Sequence, residues 1–152
     1  MIHTFKTPQN AWLSNMALVD VSLKNVFVIP LDERVYKSVE HAYQAAKSDH
    51  QEWKEFCMST QSPYDVKRKS HGCVVRSDWN AIKVVVMESL LRQKFNTEIF
   101  RTLLLQTGEQ NIQEGNTWGD RFWGVDLRNN PNIGENHLGR LIMKIRNELQ
   151  DN

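Results

Sequence analysis

The strongest constraint on the fold is a run of apolar residues at helical spacing in the middle of the chain. Large side chains recur every three or four positions at Trp79, Ile82, Val86 and Leu90, and the pattern continues as far as Phe95. This spacing puts them on one face of a helix, and such a face packs against a core. Ser77 or Asp78 precedes the pattern, and either side chain can cap the helix. The sequence therefore predicts a long helix over 79–95.

Shorter segments on both sides of this helix indicate an α+β chain. Helices are predicted over 39–48, 51–58, 63–72, 98–107 and 136–149. β-rich runs occupy 18–23, 26–29, 33–36, 110–114 and 121–125, with a turn at Lys24-Asn25. Because helix exceeds strand, we expect a single, mostly helical domain over residues 1–152, built around a small β-sheet.

The composition argues against several classes of protein. The chain has 19 Lys and Arg residues against 18 Asp and Glu, so its net charge of +1 gives no global field for nucleic acid or a membrane. Cys57 and Cys73 lack the spacing of a zinc site, and we expect reduced thiols, no metal and no cofactor. The sequence opens without a leader-like pattern and contains no membrane-length apolar run, so we expect a cytoplasmic protein.

Glu40 and His41 stand where the helix over 39–48 should begin, and Ser38 is its expected N-cap. In one interpretation Glu40 complements the helix dipole and His41 packs at the surface. In the other, Glu40 is a catalytic acid held by a rigid helix. Glu40 and Gln44 are expected on the same face, one turn apart. The local pattern leaves both interpretations open.

Basic and aromatic residues further along also have two interpretations. Lys67 and Arg68 form part of a basic cluster on a short helix, which is either a solvated face or a phosphate-binding group. Trp79 is either a core anchor or a flat surface on which a base can stack. Lys83 lies one turn beyond Trp79 and can reach what that tryptophan touches.

The densest local signal is the segment DRFWGVD, residues 120–126. Aromatic and charged residues crowd a short strand, Gly124 allows close approach of a ligand or of another backbone segment, and Asp126 follows. Farther on, a glycine-punctuated helix start near Asn136 offers free N–H groups to a phosphate. The chain has no Ser-His-Asp order, P-loop or dinucleotide-binding glycine motif, so a hydrolase that uses carboxylates remains open.

These segments belong to an ordered set of short matches that covers nearly the whole chain. The set comprises Leu13-Ser14-Asn15-Met16, Tyr36, Ser38, Glu40-His41, Gln44-Ala45-Ala46-Lys47, Pro63, Lys67-Arg68, Asp78-Trp79, Lys94-Phe95, Leu103-Leu104-Leu105, Thr107-Gly108, Phe122-Trp123-Gly124, Asn136, Leu138-Gly139, Leu141 and Met143. In this order the chain resembles the NADAR family, which includes YbiA-like N-glycosidases associated with riboflavin-pathway intermediates. Leu13 and Met16 stand where the family usually has aromatic residues.

The resemblance implies an N-glycosidase that hydrolyses the bond between a ribose and a base or amine, without a metal. Its substrates would be ADP-ribosylated groups, such as guanine ADP-ribose, or ribosylamino-pyrimidine phosphates, with nucleic acid only as a modified substrate. The expected catalytic residues are Glu40, Trp79, Trp123 and Asp126. The expected substrate-binding residues are Ser14, Asn15, Lys67, Arg68, Lys83, Gly124 and Asn136.

In this interpretation Glu40 stabilises the positive charge that develops on the sugar and activates water. Asp126 or a lysine protonates the leaving base, while the two tryptophans hold its ring. Lys67, Arg68 and the start of the last helix take the phosphates. Two other functions stay open: a non-catalytic module that binds ADP-ribose or an NAD derivative, and a protein that acts through a partner surface.

Overall fold

The structure is a computed structural model that describes residues 1–18, 27–28 and 32–152, with the backbone alone for 27–28. The α-helices are α1 (Val39–Ala46), α2 (Gln51–Ser59), α3 (Pro63–Lys69), α4 (Trp79–Phe95), α5 (Glu98–Gln106) and α6 (His137–Gln150). The strands are β1 (Phe27–Val28), β2 (Val35–Tyr36), β3 (Gly115–Asn116) and β4 (Val125–Asp126), and short 3-10 helices span Ala11–Leu13 and Ser70–Gly72. The predicted α+β class, with more helix than strand, is confirmed.

The chain folds as two units, each with its own internal contacts. The terminal unit comprises residues 1–14 and 95–152, and the central unit comprises residues 15–94. The small strand content is divided between them, because β1 pairs with β2 in an antiparallel sense and β3 pairs with β4 in parallel. The expectation of a single domain stays a prediction.

Helix α1 forms the middle of the central unit, and every one of its residues is buried. Ala42, Ala45 and Ala46 keep its surface thin, so α2, α3 and β2 can all pack closely against it. The predicted N-cap is confirmed, since the Ser38 hydroxyl accepts a hydrogen bond from the His41 N–H at 3.1 Å. The helix ends at Ala46, two residues earlier than predicted.

The terminal unit is built on the amphipathic helix α6. Its apolar face is formed by Leu138, Leu141, Ile142 and Ile145, all buried, whereas Leu149 is half-buried. The buried guanidinium of Arg146 donates to the Thr107 hydroxyl at 2.9 Å and to the Gln110 carbonyl at 2.7 Å. Both bonds come from Nη1, which burial would otherwise leave without a partner, whereas Nε has none among the described residues.

The strand predictions are right in part. Within 26–29 the structure describes Phe27 and Val28 as a strand, and a second strand, Val35–Tyr36, lies inside the predicted run 33–36. The two strands pair with each other, a pairing that the sequence does not predict. The predicted strand over 18–23, except residue 18, and the turn at Lys24-Asn25 lie outside the described residues.

The two later strands are displaced from their predicted positions. In the segment 110–114, Ile112 forms a single bridge with Ile2, and the regular strand begins only at Gly115. The predicted strand over 121–125 is wrong for residues 121–124. The carboxylate of Asp120 accepts hydrogen bonds from the N–H groups of Phe122 and Trp123, which bends the chain into a turn instead of a ladder.

Within the described residues, no helix combines the length and the apolar character needed to cross a membrane.

The burial of Lys94 on α4 gives a prediction about the pH dependence of stability. Lys94 is 1% exposed, and burial lowers its pKa to about 7 from an ordinary value of 10.5. Between these values the unfolded chain binds a proton that the folded chain does not, so this lysine makes the free energy of unfolding rise with pH. The contribution is up to about 1.4 kcal/mol per pH unit for one group.

We expect the Lys94→Met variant to lose this contribution, so that its free energy of unfolding rises less steeply than that of the wild type between pH 7.5 and 9.5. Urea titrations at several pH values measure the slopes. Lys69→Met, at an exposed position, is the control and should keep the slope of the wild type. Equal slopes for all three proteins would contradict the assignment.

Candidate active site

Glu40 lies in the first turn of α1 and is only 7% exposed. Its backbone N–H donates to the Asn15 carbonyl at 3.0 Å. Its carboxylate accepts a hydrogen bond from the Gln44 amide, one helical turn away, at 2.8 Å. A carboxylate with this burial and these constraints is held in place by a rigid element, as the catalytic interpretation of the sequence requires.

The interpretation that puts His41 at the surface is wrong, because His41 is completely buried. Its Nδ1 lies 2.7 Å from the Ser38 hydroxyl oxygen and its Nε2 lies 2.8 Å from the Thr60 carbonyl oxygen. Since the carbonyl can only accept, Nε2 carries a hydrogen, and in the neutral ring Nδ1 then accepts from the Ser38 hydroxyl. Burial lowers the pKa of His41, which favours the neutral ring. His41 therefore fixes the start of the helix that carries Glu40.

Asn15 and Gln44 place two buried acceptors in the central unit. The Asn15 amide nitrogen lies 3.5 Å from the Met87 sulfur, whereas its oxygen has no hydrogen-bond partner among the described residues. The oxygen of the Gln44 amide is likewise buried and without such a partner. A buried acceptor left without a donor costs about 1–3 kcal/mol. Both oxygens are therefore suited to accept from the hydroxyl groups of a bound molecule.

Trp79 connects the long helix α4 with α1. Trp79 is 6% exposed, and its ring packs on the Tyr43 ring with centroids 5.0 Å apart. Lys83 is half-buried and lies one turn along the same face, and Met87, which contacts Asn15, lies one turn further. The burial of Trp79 favours the core-packing interpretation, and its predicted catalytic role stays a prediction.

The basic cluster on α3 has the character of a solvated face. The side chain of Arg68 is 72% exposed and forms an ion pair with Asp65 one turn away. Lys67 is half-buried on the same helix. An exposed pair of this kind contributes little to stability, and the phosphate-binding role of these two residues stays a prediction.

The central unit contains a large cleft of about 1270 Å³. The described residues that line this cleft do not include any of the predicted site residues. Apolar side chains of α4 form one wall, and Arg34, Lys54 and Arg76 line the remainder together with Asp32 and Asp49. The charges pair with one another, Arg34 and Lys54 with Asp32, and Arg76 with Asp49. Glu33 also lines the cleft, so three acids stand against three cations and the cleft carries no preference for an anionic ligand.

In the terminal unit, the turn made by Asp120 presents Trp123 in an aromatic cluster. The ring of Phe122 lies 4.9 Å from that of Trp123 and 4.3 Å from that of His137, measured between centroids. Trp123, Phe122 and His137 are all half-buried. This arrangement holds the indole at the surface in a fixed orientation, which a residue that stacks on a base needs.

Gly124 makes room for another backbone segment. A Cβ at this position would lie 2.2 Å from the Glu114 carbonyl oxygen and 1.8 Å from its side-chain oxygen Oε2. The sequence allows two reasons for this glycine, close approach of a ligand or close approach of another backbone segment. The geometry supports the second. Its predicted contact with substrate stays a prediction.

Asn136 acts as a clamp at the start of α6. Its amide donates to the Ile112 carbonyl at 3.0 Å and accepts from the Glu114 N–H at 3.0 Å. Its backbone adopts the left-handed conformation, with φ of 52°, which asparagine tolerates better than most residues. These bonds occupy the side chain that the sequence assigns to substrate.

Asp126 is completely buried and is held by two arginines. Its carboxylate accepts from Nε and Nη2 of Arg128, both at 2.9 Å, and from Arg121 at 3.3 Å. The hydrogen bonds from Arg128 keep the pKa of Asp126 well below its usual range. An ionised carboxylate has no proton to give near neutral pH, so the geometry favours an anchoring role over proton donation.

The structure thus places eight of the eleven predicted residues in two groups, one in each unit, and Ser14, Lys67 and Arg68 belong to neither. The central group comprises Asn15, Glu40, Trp79 and Lys83; the terminal group comprises Trp123, Gly124, Asp126 and Asn136. Local sequence patterns do not identify Gln44 as the partner of Glu40, or Arg121 and Arg128 as the partners of Asp126. The spacing of four positions from Glu40 to Gln44 was the available signal.

Among the described residues, no three His, Cys, Asp or Glu side chains are placed to hold a metal ion.

Comparison with known proteins gives consistent matches. The family model of the NADAR domain matches residues 4–150. The chain is 31% identical over 124 residues to N-glycosidase YbiA of Escherichia coli (strain K12), which covers 80% of this chain and 75% of that protein. It is 35% identical over 120 residues to a riboflavin biosynthesis protein of Vibrio vulnificus, which covers 76% of this chain but 31% of the relative. The NMR structure of the E. coli protein YbiA matches with a TM-score of 0.77 and 26% identity, over 99% of this chain and 88% of that one.

The clamp formed by Asn136 gives a prediction about stability. The Asn136→Ala variant leaves the Glu114 N–H and the Ile112 carbonyl without their partners and puts alanine at a left-handed position. We expect the free energy of unfolding to fall by about 2–3 kcal/mol. Urea denaturation measures the change, and Asn132→Ala, in an exposed part of the preceding loop, is the control. A variant as stable as the wild type would contradict the role of Asn136 as a clamp.

Proposed function

The chain belongs to the NADAR family, and from that premise we propose that it is an N-glycosidase that hydrolyses the bond between a ribose and a base or amine. The candidate substrates are ADP-ribosylated groups such as guanine ADP-ribose, and ribosylamino-pyrimidine phosphates. The names of two relatives, an N-glycosidase and a riboflavin biosynthesis protein, support this choice. The observation that carries the proposal is the buried carboxylate of Glu40 at the start of α1.

The reaction needs a negative charge beside the sugar. As the C–N bond breaks, positive charge develops on the anomeric carbon and the ring oxygen. The carboxylate of Glu40 stabilises that charge, and its burial strengthens the effect because little water screens it. The hydrogen bond from Gln44 and the anchored first turn fix the carboxylate before substrate binds, so no reorganisation is needed during the reaction.

Water supplies the nucleophile, and the atoms balance without any further reactant. In the proposed step Glu40 accepts a proton from the water as its oxygen attacks the anomeric carbon. The leaving nitrogen takes the bonding electrons and gains a proton, which yields the free base or amine and a sugar with a new hydroxyl group. Because Asp126 is held ionised, the remaining candidate donor from the sequence is a lysine, and Lys83 lies on the face of α4 that carries Trp79.

The polar surroundings of Glu40 suit a ribose. A ribose offers hydroxyl donors, and the buried oxygens of Asn15 and Gln44 are acceptors in need of donors. Hydrogen bonds of this kind would orient the sugar relative to the carboxylate. Trp79 is the candidate for contact with the base, and Lys67 and Arg68 are the candidates for contact with the phosphates. These contacts stay predictions that the resemblance supports.

The Glu40→Gln variant tests the proposal. It keeps the size of the side chain but removes the charge that stabilises the sugar cation, so we expect kcat to fall by about 100-fold or more. The assay incubates the protein with guanine ADP-ribose and with a ribosylamino-pyrimidine phosphate, and measures released ADP-ribose or ribose 5-phosphate by mass spectrometry.

The matched control is Glu52→Gln, because Glu52 also lies in the first turn of a helix, α2, but is exposed. It should keep full activity. If Glu40→Gln hydrolysed both substrates at the rate of the wild type, the role assigned to Glu40 would be wrong. If the wild type bound ADP-ribose without turning over either substrate, and Glu40→Gln bound it equally well, the non-catalytic binding module would be the better account.

A further inference from the structure

Asp126 and its two arginines form a group of charges in the terminal unit that the proposed reaction does not use. The carboxylate is completely buried and accepts hydrogen bonds from both guanidinium groups and from the Arg128 backbone N–H at 3.1 Å. The side chains of Arg121 and Arg128 are 51% and 55% exposed. One buried carboxylate therefore holds two arginines that both reach the surface.

The geometry of the hydrogen bonds leaves the same part of each arginine available. Arg128 contacts Asp126 through Nε and Nη2, and Arg121 uses the same two nitrogens, at 3.3 Å each. These nitrogens form one edge of the planar guanidinium, so the edge formed by Nη1 and Nη2 faces away from the carboxylate. For neither arginine does the described part of the chain provide a partner to Nη1. An edge with two parallel N–H donors matches the oxygens of a phosphate group.

The charge of the group exceeds what Asp126 requires. A single arginine neutralises a buried carboxylate, and the bidentate pair with Arg128 does so with four atoms in good geometry. Arg121 adds a second positive charge at a longer distance, which leaves the group with a net charge of +1. If the arginines served only to neutralise Asp126, Arg121 would be superfluous.

The chain also makes room for the guanidinium of Arg128. A Cβ at position 119 would lie 2.9 Å from Nη2 of Arg128, and Gly119 has φ of +87°, a conformation that other residues rarely adopt. Together with Asp126, this glycine restricts the orientations that Arg128 can take. An arginine that is already ordered loses less conformational entropy when it binds an anion.

From these observations we propose that Arg121 and Arg128, held by Asp126, form a binding site for a phosphate or diphosphate group. Asp126 is a positioning residue, since it touches the arginines and not the ligand. The inference is independent of hydrolysis, because a binding measurement tests it whether or not the protein cleaves an N-glycosidic bond. The phosphate can come from a nucleotide-like substrate or from a separate anion.

The test is a titration with inorganic pyrophosphate, followed by NMR through the side-chain Nε–H signals of the arginines. Potassium chloride at matched ionic strength is the reference, since it screens charge without bidentate binding. We expect pyrophosphate to shift the Arg121 and Arg128 signals in a saturable manner. The Arg121→Gln variant should bind about tenfold more weakly, which corresponds to the loss of one charge-assisted interaction. It keeps the pair of Arg128 with Asp126, so the fold is preserved.

Arg101→Gln, at an exposed position on α5 in the same unit, removes the same charge elsewhere and should bind within about twofold of the wild type. A second variant, Asp126→Asn, separates orientation from charge. This variant raises the net charge of the group but releases the two arginines from their fixed orientation. Weaker binding of pyrophosphate would therefore support the proposed site. Tighter binding would mean that charge alone attracts the anion and would overturn the proposal. Signals that respond equally to pyrophosphate and to chloride also overturn it.

Competition with ADP-ribose identifies the source of the phosphate. If ADP-ribose displaces pyrophosphate and loses affinity in Arg121→Gln, the site takes the diphosphate of a nucleotide-like ligand. If both bind at once, the site takes a separate phosphate anion. Either result supports an arginine site for phosphate, and the activity assay with Glu40→Gln reports on the proposed hydrolysis separately.

Discussion

A helix that is buried along its whole length needs internal partners for the polar groups that it carries, and α1 is such a helix. Among the described residues its polar side chains have these partners, with the exception of the Gln44 oxygen. Its first turn contains an acid and an imidazole, two groups that are rarely buried without partners. Ser38 and Thr60 hold the imidazole of His41, and Gln44 holds the carboxylate of Glu40. The position of the acid, and with it the proposed chemistry, depends on this set of hydrogen bonds.

The terminal unit also contains a buried carboxylate, that of Asp126, but stabilises it with charged partners. The carboxylate of Asp126 is balanced by arginines that reach the surface, so the cost of burying one charge is offset by two charges that remain partly in water. The neighbouring turn depends on Asp120 and Asn116, whose side chains replace the backbone partners of a strand. Polar side chains thus set the backbone path in the region where the sequence predicts a regular strand.

The predictions that succeeded rest on local physics. Apolar spacing locates the helices to within a few residues, and the preference of Ser38 for an N-cap identifies the start of α1. The spacing also places Gln44 on the face of Glu40. The strand over 121–125 fails because its aromatic and β-branched residues fit a strand pattern, whereas the Asp120 carboxylate competes for the same N–H groups. The ordered family matches identify the fold, because they sample nearly the whole chain.

The sequence by itself determined the helical content, the cap of α1 and the membership of the NADAR family, since each follows from residues close together or in a fixed order. Only the tertiary structure decided that His41 is buried with a lowered pKa, that Asn136 clamps two backbone groups, and that Asp126 is an anchored anion. These properties come from burial and from partners up to 24 positions away along the chain. The pKa of a side chain depends on burial, nearby charges and hydrogen bonds that exist only in the folded protein, so local residue patterns cannot predict it.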